Sequence, residues 1–177
     1  RAYSAAIFHV VTHAFFKALL FLGAGSVILG MHHKQDIAEM GGLRRRMPWT
    51  WATFLVGVLA ISGVAPLSGF FSKDQILLSA HLAHHVYGED WLWLIAVVSA
   101  GLTAFYMFRL YFRVFTGETR AGNIASVNEQ GNWIIAPLVV LAFFSVTGGV
   151  FGMPDLWGEL FFGIPRSHSL LYFLAPL

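Results

Sequence analysis

The sequence predicts an all-α fold: a polytopic transmembrane helix bundle of about four crossings, one of them a discontinuous (broken) helix. Three observations predict it. Of the 177 residues 57% are hydrophobic and only 11% charged, where a soluble domain carries about 25% charged residues, and mean hydropathy is +0.68. The apolar residues fall into long stretches separated by short polar loops that collect the basic residues. The second stretch is interrupted in its middle by Ser62-Gly63-Val64-Ala65-Pro66-Leu67-Ser68-Gly69. A net charge of +2 is too small to suggest nucleic acid, and the absence of cysteine rules out disulfides and thiolate metal sites. The chain has no initiating Met and no signal-peptide pattern, so a fragment of a longer protein is expected.

The first span covers residues 3–32, with Gly23, Gly25, Ser26 and Gly30 suited to close approach of a neighbouring helix. A polar connection follows, in which Asp36-x-x-Glu39 reads as a capping box opening a short turn that Gly41 and Gly42 stop. Residues 48–86 are too long for one ordinary span at about 1.5 Å per residue. They form either two short spans or one crossing made of two half-helices around Pro66. Loop charge decides. Lys34 and Arg44 to Arg46 precede this stretch, Arg109, Arg113 and Arg120 lie at and beyond the end of the next span, and the connection between has no Lys or Arg and carries Glu89 and Asp90. One interrupted crossing puts both basic regions on the inner side; two full crossings would separate them.

The third span is 91–115, anchored at its outer end by Trp91 and Trp93, with Arg109 and Arg113 snorkelling to the inner headgroups. The fourth, 133–152, carries Gly148-x-x-x-Gly152 as a packing notch. Residues 153–177 are cut by prolines, and Trp157, Phe161 and Phe162 suit an interfacial tail.

Within the first span His9, His13 and Lys17 recur every four residues, so they lie within roughly 80° of one another as a polar seam on an apolar rod. A charged side chain near mid-membrane costs about 2.5–3.5 kcal/mol on insertion scales. Two imidazoles that titrate near neutrality beside a lysine make a proton relay; the alternative is a set of polar groups that only bond neighbouring helices. His-x-x-x-His also suits a metal or haem, but a lysine in a carboxylate-free pocket argues against that. Lys73 and Asp74 follow the break in the second crossing, where transporters place ion sites. Carbonyls from the first half-helix can take Lys73, and the N-terminus of the second favours Asp74; the bland reading is a self-neutralising pair. His81, His84 and His85 have zinc-compatible spacing, but they read as a solvated outer helix end.

His9-Val-Val-Thr-His13-Ala-Phe-Phe-Lys17-Ala-Leu-Leu-Phe-Leu, Met40-Gly-Gly-Leu and Pro66-Leu-Ser-Gly-Phe-Phe-Ser-Lys73-Asp74 resemble the antiporter-like proton-pumping subunits of respiratory complex I. Among them the chain is similar to the L subunit, counterpart of mitochondrial NADH dehydrogenase subunit 5; the sister M-type subunit carries a glutamate where Lys73 stands. The resemblance implies that residues 1–152 belong to the second of two inverted repeats. It places His9, His13 and Lys17 on a central polar axis, Lys73 at the outward half-channel, and Asp74 beside it. It further implies a proton-translocating membrane subunit of NADH:quinone oxidoreductase, in the bacterial inner membrane or, second, the mitochondrial one. Other membrane subunits, the M-type one especially, would be partners within the lipid bilayer. NADH, FMN, iron–sulfur clusters and quinone would be bound by other subunits, since no Gly-rich dinucleotide loop or cluster-ligand set occurs here. The large subunit of a multi-subunit cation/proton antiporter, which shares the fold, is the alternative; a non-conducting packing piece is a third.

Overall fold

Long apolar runs give way to glycine, proline, serine and charged residues, and the helices follow that punctuation. The computed structural model describes residues 2–87, 91–118, 120 and 127–149, with side chains from residue 5 and excepting those of 82–87. Every regular element among them is helical. Helix α1 is Ala2–Gly30, α2 Pro48–Ser62, α3 Ser68–Tyr87, α4 Trp91–Phe115 and α5 Asn132–Thr147, with a short 3-10 turn at Leu43–Arg45. The expected tail at 153–177, with Trp157, Phe161 and Phe162, lies outside the described residues, as do Glu89, Asp90 and Gly152.

Two helices, Ala5–Gly30 and Trp91–Phe115, are long and apolar enough to cross a membrane. Their surfaces fit that solvent. Leu94, Ile95, Val98, Leu102 and Phe105 on α4 all lie exposed, an arrangement a water-soluble monomer avoids.

α2 ends by a backbone device. Gly63 takes the left-handed conformation at φ 78, ψ 34. Its N–H then donates to the Ala60 carbonyl at 3.1 Å, and that of Val64 to the Leu59 carbonyl, also at 3.1 Å. This is the paired closure that glycine permits at helix ends. It satisfies those two carbonyls and leaves the carbonyl of Ile61 to find another donor.

The other end of α2 is capped from a distance. Met47 offers no side-chain cap. Instead the Glu129 carboxylate accepts from the Trp49 N–H at 2.8 Å, the Thr50 N–H at 3.3 Å and the Thr50 hydroxyl at 2.5 Å. A carboxylate on free N–H groups at the positive end of a helix is the favourable polarity. Thr50 also bonds Ser26 on α1 at 2.9 Å, so the loop before α5, α2 and α1 are joined by one polar chain.

α1 and α2 pack through small residues. A methyl on Gly23 would meet Phe54 at 2.7 Å, and one on Gly57 would meet Leu20 at 2.9 Å. Gly30 faces Met47, whereas Gly25 faces open space and takes no part. Phe16, Leu20, Val27, Phe54, Val58 and Phe115 form the core between α1, α2 and α4. Successive contacts run antiparallel along α1: Gly30 meets Met47, Ser26 meets Thr50, Gly23 meets Phe54, Phe16 meets Gly69, and His9 meets Ser72. Thus α2 and then α3 follow α1 in one direction. α4 lies alongside both, with Trp93 against His81 at one end and Phe115 against Phe54 towards the other.

Local chemistry corrects one expectation. Asp36 and Glu39 do not form a capping box: Asp36 accepts from the Ala38 N–H at 2.8 Å, and Glu39 pairs with Lys34 at 2.6 Å. No helix starts there, so there are no free N–H groups for Glu39 to serve. At the far end of α5, Gly149 rather than Gly148 is the notch against α3, since a methyl there would meet the Ser68 Cα at 2.8 Å.

Candidate functional site

The site forms where α1 passes the junction of α2 and α3. His9, His13 and Lys17 rise along α1 at one-turn intervals, and the two imidazole centroids are 5.9 Å apart. His13 stands edge-on to the buried Phe16 ring, 5.2 Å between centroids. Lys17 holds its ammonium 5.3 Å above the Phe21 ring centroid, a cation–π contact that replaces part of the lost hydration. His13 lies in electrostatic range of Lys17, and His9 of both His13 and Lys73. The seam therefore leads from Lys17 at mid-helix to α3, over about 12 Å of helix rise between Lys17 and His9.

Lys73 is anchored at the break. Its Nζ donates to the Ile61 carbonyl at 2.9 Å. That is the carbonyl the α2 end leaves unpaired, at the negative end of the helix dipole, so an ammonium fits it on both counts. The expected role of α2 carbonyls as Lys73 acceptors is thus what the geometry has. No Lys73–Asp74 pair forms among the described residues. Adjacent helical residues diverge by about 100°, and Asp74 is exposed. The helix-dipole argument for Asp74 also needs correction. The first turn of α3 contains no acid, and the dipole effect fades beyond that turn.

Two hydroxyls complete the site. Ser72 Oγ lies 3.0 Å from His9 Nδ1 and accepts from Thr12 Oγ1 at 2.9 Å. Thr12 Oγ1 also reaches the Phe8 and His9 carbonyls, both at 3.1 Å, and Ser72 Oγ reaches the Gly69 carbonyl at 3.5 Å. Thr12 and Ser72 are buried. Each hydroxyl has one proton and several acceptors, so the pair can serve His9 in either of two states. When Thr12 donates to Ser72, the Ser72 proton is free for an unprotonated Nδ1. When Thr12 turns to a backbone carbonyl, Ser72 can accept from a protonated Nδ1 and donate to Gly69. The pair exchanges roles without moving heavy atoms.

Sequence reasoning missed Thr12 and Ser72. Thr12 lies three residues after His9 on an otherwise apolar helix, and Ser72 precedes Lys73; both positions were legible as hydroxyls, but not their meeting across two helices. His81 is exposed against Trp93, and the side chains of His84 and His85 lie outside those described. Among the described residues no three of the His, Asp and Glu side chains converge as metal ligands.

Residues 1–103 match the NADH:quinone oxidoreductase/Mrp antiporter transmembrane family, and residues 106–154 match the NADH dehydrogenase subunit 5 C-terminus. The chain belongs to this family. NAD(P)H-quinone oxidoreductase subunit 5 of the organellar chromatophore of Paulinella chromatophora is 44% identical over 187 residues, covering 89% of this chain and 27% of the relative. NADH-quinone oxidoreductase subunit L of Neisseria meningitidis serogroup A is 41% identical, covering 90% and 26%. The chloroplastic subunit 5 of Nephroselmis olivacea is 46% identical, covering 96% and 27%. The chain thus spans about a quarter of the length of the curated relatives it matches. In fold it is similar to a chain of the Mrp complex from Dietzia sp. DQ12-45-1b, with a TM-score of 0.73 at 19% identity over 90% of this chain and 38% of that one. As family members are transmembrane proteins, the exposed apolar flanks of α4 and α5 have lipid or neighbouring helices as their natural surroundings.

Proposed function

We propose that this chain is part of a proton-translocating membrane subunit of NADH:quinone oxidoreductase, in which quinone reduction elsewhere in the complex drives protons along Lys17, His13, His9 and Lys73. The observation that carries the reading is Lys73 on the free Ile61 carbonyl at the helix break, one residue from the hydroxyl pair that serves His9. Protons pass along the seam by alternation of imidazole and ammonium states. Asp74, exposed on a different face of α3 from Lys73, is the acid assigned to the outward half-channel. Moving one proton charge against 100 mV costs about 2.3 kcal/mol, and a hydrogen bond to a charged group contributes about 1.5–3 kcal/mol. Making and breaking the Lys73–Ile61 bond is therefore an energy step of the right size. Other membrane subunits, the M-type antiporter-like one foremost, adjoin this one in a bacterial inner membrane, and NADH, FMN, iron–sulfur clusters and quinone belong to other subunits.

Ser72→Ala in the assembled complex is expected to lower proton uptake by energised vesicles a few-fold while uncoupled NADH oxidation changes less. Ser72→Thr, which keeps a hydroxyl, restores most of it. Equal pumping in Ser72→Ala and the parent protein excludes the hydroxyl pair from the path.

The reading extends to topology: spans 3–32, 48–86 with its break, 91–115 and 133–152 in the second antiporter-like repeat, and an interfacial tail at 153–177. It is supported by α2 and α3 following α1 in one direction. It is supported too by α4, whose run from Trp93 to Phe115 covers about 33 Å of helix, close to one hydrocarbon thickness of about 30 Å. In a cysteine-free background of the full-length subunit, His81→Cys is expected to react with an impermeant maleimide from the outer side only, and Gln35→Cys from the inner side only. Reaction of both from one side would mean that 48–62 and 68–87 are two complete crossings.

A cation/proton antiporter subunit is the second reading, favoured by the likeness to the Mrp complex chain. Its weight is smaller, because relatives at 41–46% identity carry quinone oxidoreductase names. Co-purification of iron–sulfur subunits with the full-length protein separates the two.

A further inference from the structure

Every serine and glutamine of α3 falls on one face of the helix. Ser68, Ser72, Gln75 and Ser79 recur at alternating steps of a turn, which places them within about 60° of one another. Lys73 and Asp74 stand off this stripe, each by about 100° or more. The stripe starts at the break between α2 and α3 and runs for about 16 Å along α3.

Its upper part looks onto small residues of α1. Ser72 meets His9 and Thr12 of that helix. Ala5 lies one turn before His9, on the arc between His9 and Thr12, so it takes the same side of α1. It is buried. Because α1 and α3 run antiparallel, Ala5 comes level with the stretch from Gln75 to Ser79. A methyl group there leaves space against the polar row that a larger side chain would fill.

The hydrogen-bond accounts point to water in that space. Ser68 is 0% exposed, yet its Oγ has no hydrogen-bond partner among the described residues. Buried hydroxyls in proteins are paired, often by an ordered water. Ser79 Oγ donates to the Gln75 carbonyl at 2.7 Å, which leaves its lone pairs free to accept. The Gln75 amide can donate and accept at once. Both side chains are half-buried. A polar row of this length within a span is costly unless something hydrogen-bonds it, and water in a cleft does so.

We propose that protons leave the His9–Ser72 site along this face, over water held by Gln75 and Ser79, towards the end of α3 assigned above to the outer side. Ser72 Oγ takes the Nδ1 proton of a charged His9 as its own proton passes to water at Gln75. The imidazole is left neutral, and one proton enters the cleft. Ser68 holds the mid-membrane end of the same row. The inference rests on the relay reading above and gives the outward leg from His9 a face of its own, apart from that of Asp74.

The test uses the full-length subunit in the assembled complex, in sealed membranes, with single cysteines on a cysteine-free background. Gln75→Cys and Ser79→Cys are expected to react from the outer side with a small cationic methanethiosulfonate. Leu77→Cys, on the opposite face of α3, reacts about tenfold more slowly, since a thiol in apolar surroundings ionises less. Gln75→Leu, similar in size but unable to hold water, lowers the protons pumped per NADH oxidised a few-fold, and Gln75→Glu restores most of that loss. A packing role would give the reverse order, with leucine the better replacement. Equal rates at Leu77→Cys and the stripe cysteines overturn the wetted face. Reaction at Asp74→Cys with Gln75→Cys and Ser79→Cys silent overturns it in favour of the Asp74 face. Reaction of the stripe from the inner side alone overturns the outward direction, and parent-level pumping in Gln75→Leu overturns its part in transport. Labelling is read without pumping, so failure of the relay reading shows separately, as normal pumping in Lys73→Ala with the labelling pattern intact.

Discussion

Lys73→Ala in the assembled complex is expected to lower proton translocation far more than NADH oxidation, with flux through this site down by about tenfold or more. Removing the ammonium deletes the donor at the Ile61 carbonyl, which the α2 terminus leaves without a backbone partner. A hydrogen bond to a charged group contributes about 1.5–3 kcal/mol, and each 1.4 kcal/mol is a factor of ten. The measurement is dye quenching in sealed vesicles during NADH oxidation, divided by the oxidation rate under uncoupler. Pumping equal to the parent would sink the assignment. Lys73→Arg separates two roles that alanine merges. Arginine keeps the positive charge at the break but holds its proton at every working pH. If Lys73 only pins the junction, the arginine variant pumps normally. If it releases a proton, the arginine variant assembles but pumps as poorly as alanine.

The sequence was most legible where one physical signal ruled a whole element. Long apolar runs gave α1 and α4 nearly to the residue, because length and hydropathy suffice for such helices. The break between α2 and α3 was legible because glycine, proline and serine cluster there, and Gly63 takes the left-handed conformation that such a site demands. Lys73 was legible as a charge beside that break.

What stayed hidden depends on meetings between distant segments. Glu129 caps α2 from a loop, and nothing near Pro48 announces it. Thr12 and Ser72 are ordinary hydroxyls until α1 and α3 bring them to 2.9 Å. Asp36 and Glu39 have capping-box spacing, but a lysine five residues before Glu39 offers an ion pair that no helix end competes for. Asp74 was placed at the N-terminus of the second half-helix, but α3 starts at Ser68, more than a turn before it, where the dipole effect has faded. For the cap, the hydroxyls and the ion pair, a local pattern met a tertiary or nearby alternative, and the alternative prevailed.

Gly69→Ala carries the other large expected effect, and it tests the junction without touching a titratable group. An added methyl would sit 1.8 Å from the Ala60 carbonyl oxygen and 2.8 Å from its carbon. Both are backbone atoms of α2, so no side-chain rotation relieves the clash, and α3 must withdraw by more than about an ångström to restore the ordinary contact distance of about 3.5 Å. Overpacking of this kind costs about 1–3 kcal/mol. Ser72 and Lys73 lie on the next turn of α3, and their bonds at 3.0 Å to His9 and 2.9 Å to Ile61 cannot survive that shift. Gly69→Ala should therefore reproduce the pumping loss of Lys73→Ala with every ionisable residue in place. Gly25→Ala is the control: nothing lies within 4 Å of its added methyl, and in a helix interior that change stabilises by about 0.5–1 kcal/mol. Subunit content of the membranes, measured by immunoblot, distinguishes loss of assembly from loss of transport. Parent-level pumping in Gly69→Ala would mean that the contact between α2 and α3 does not set the geometry of the proposed relay, and that His9 and Lys73 act independently.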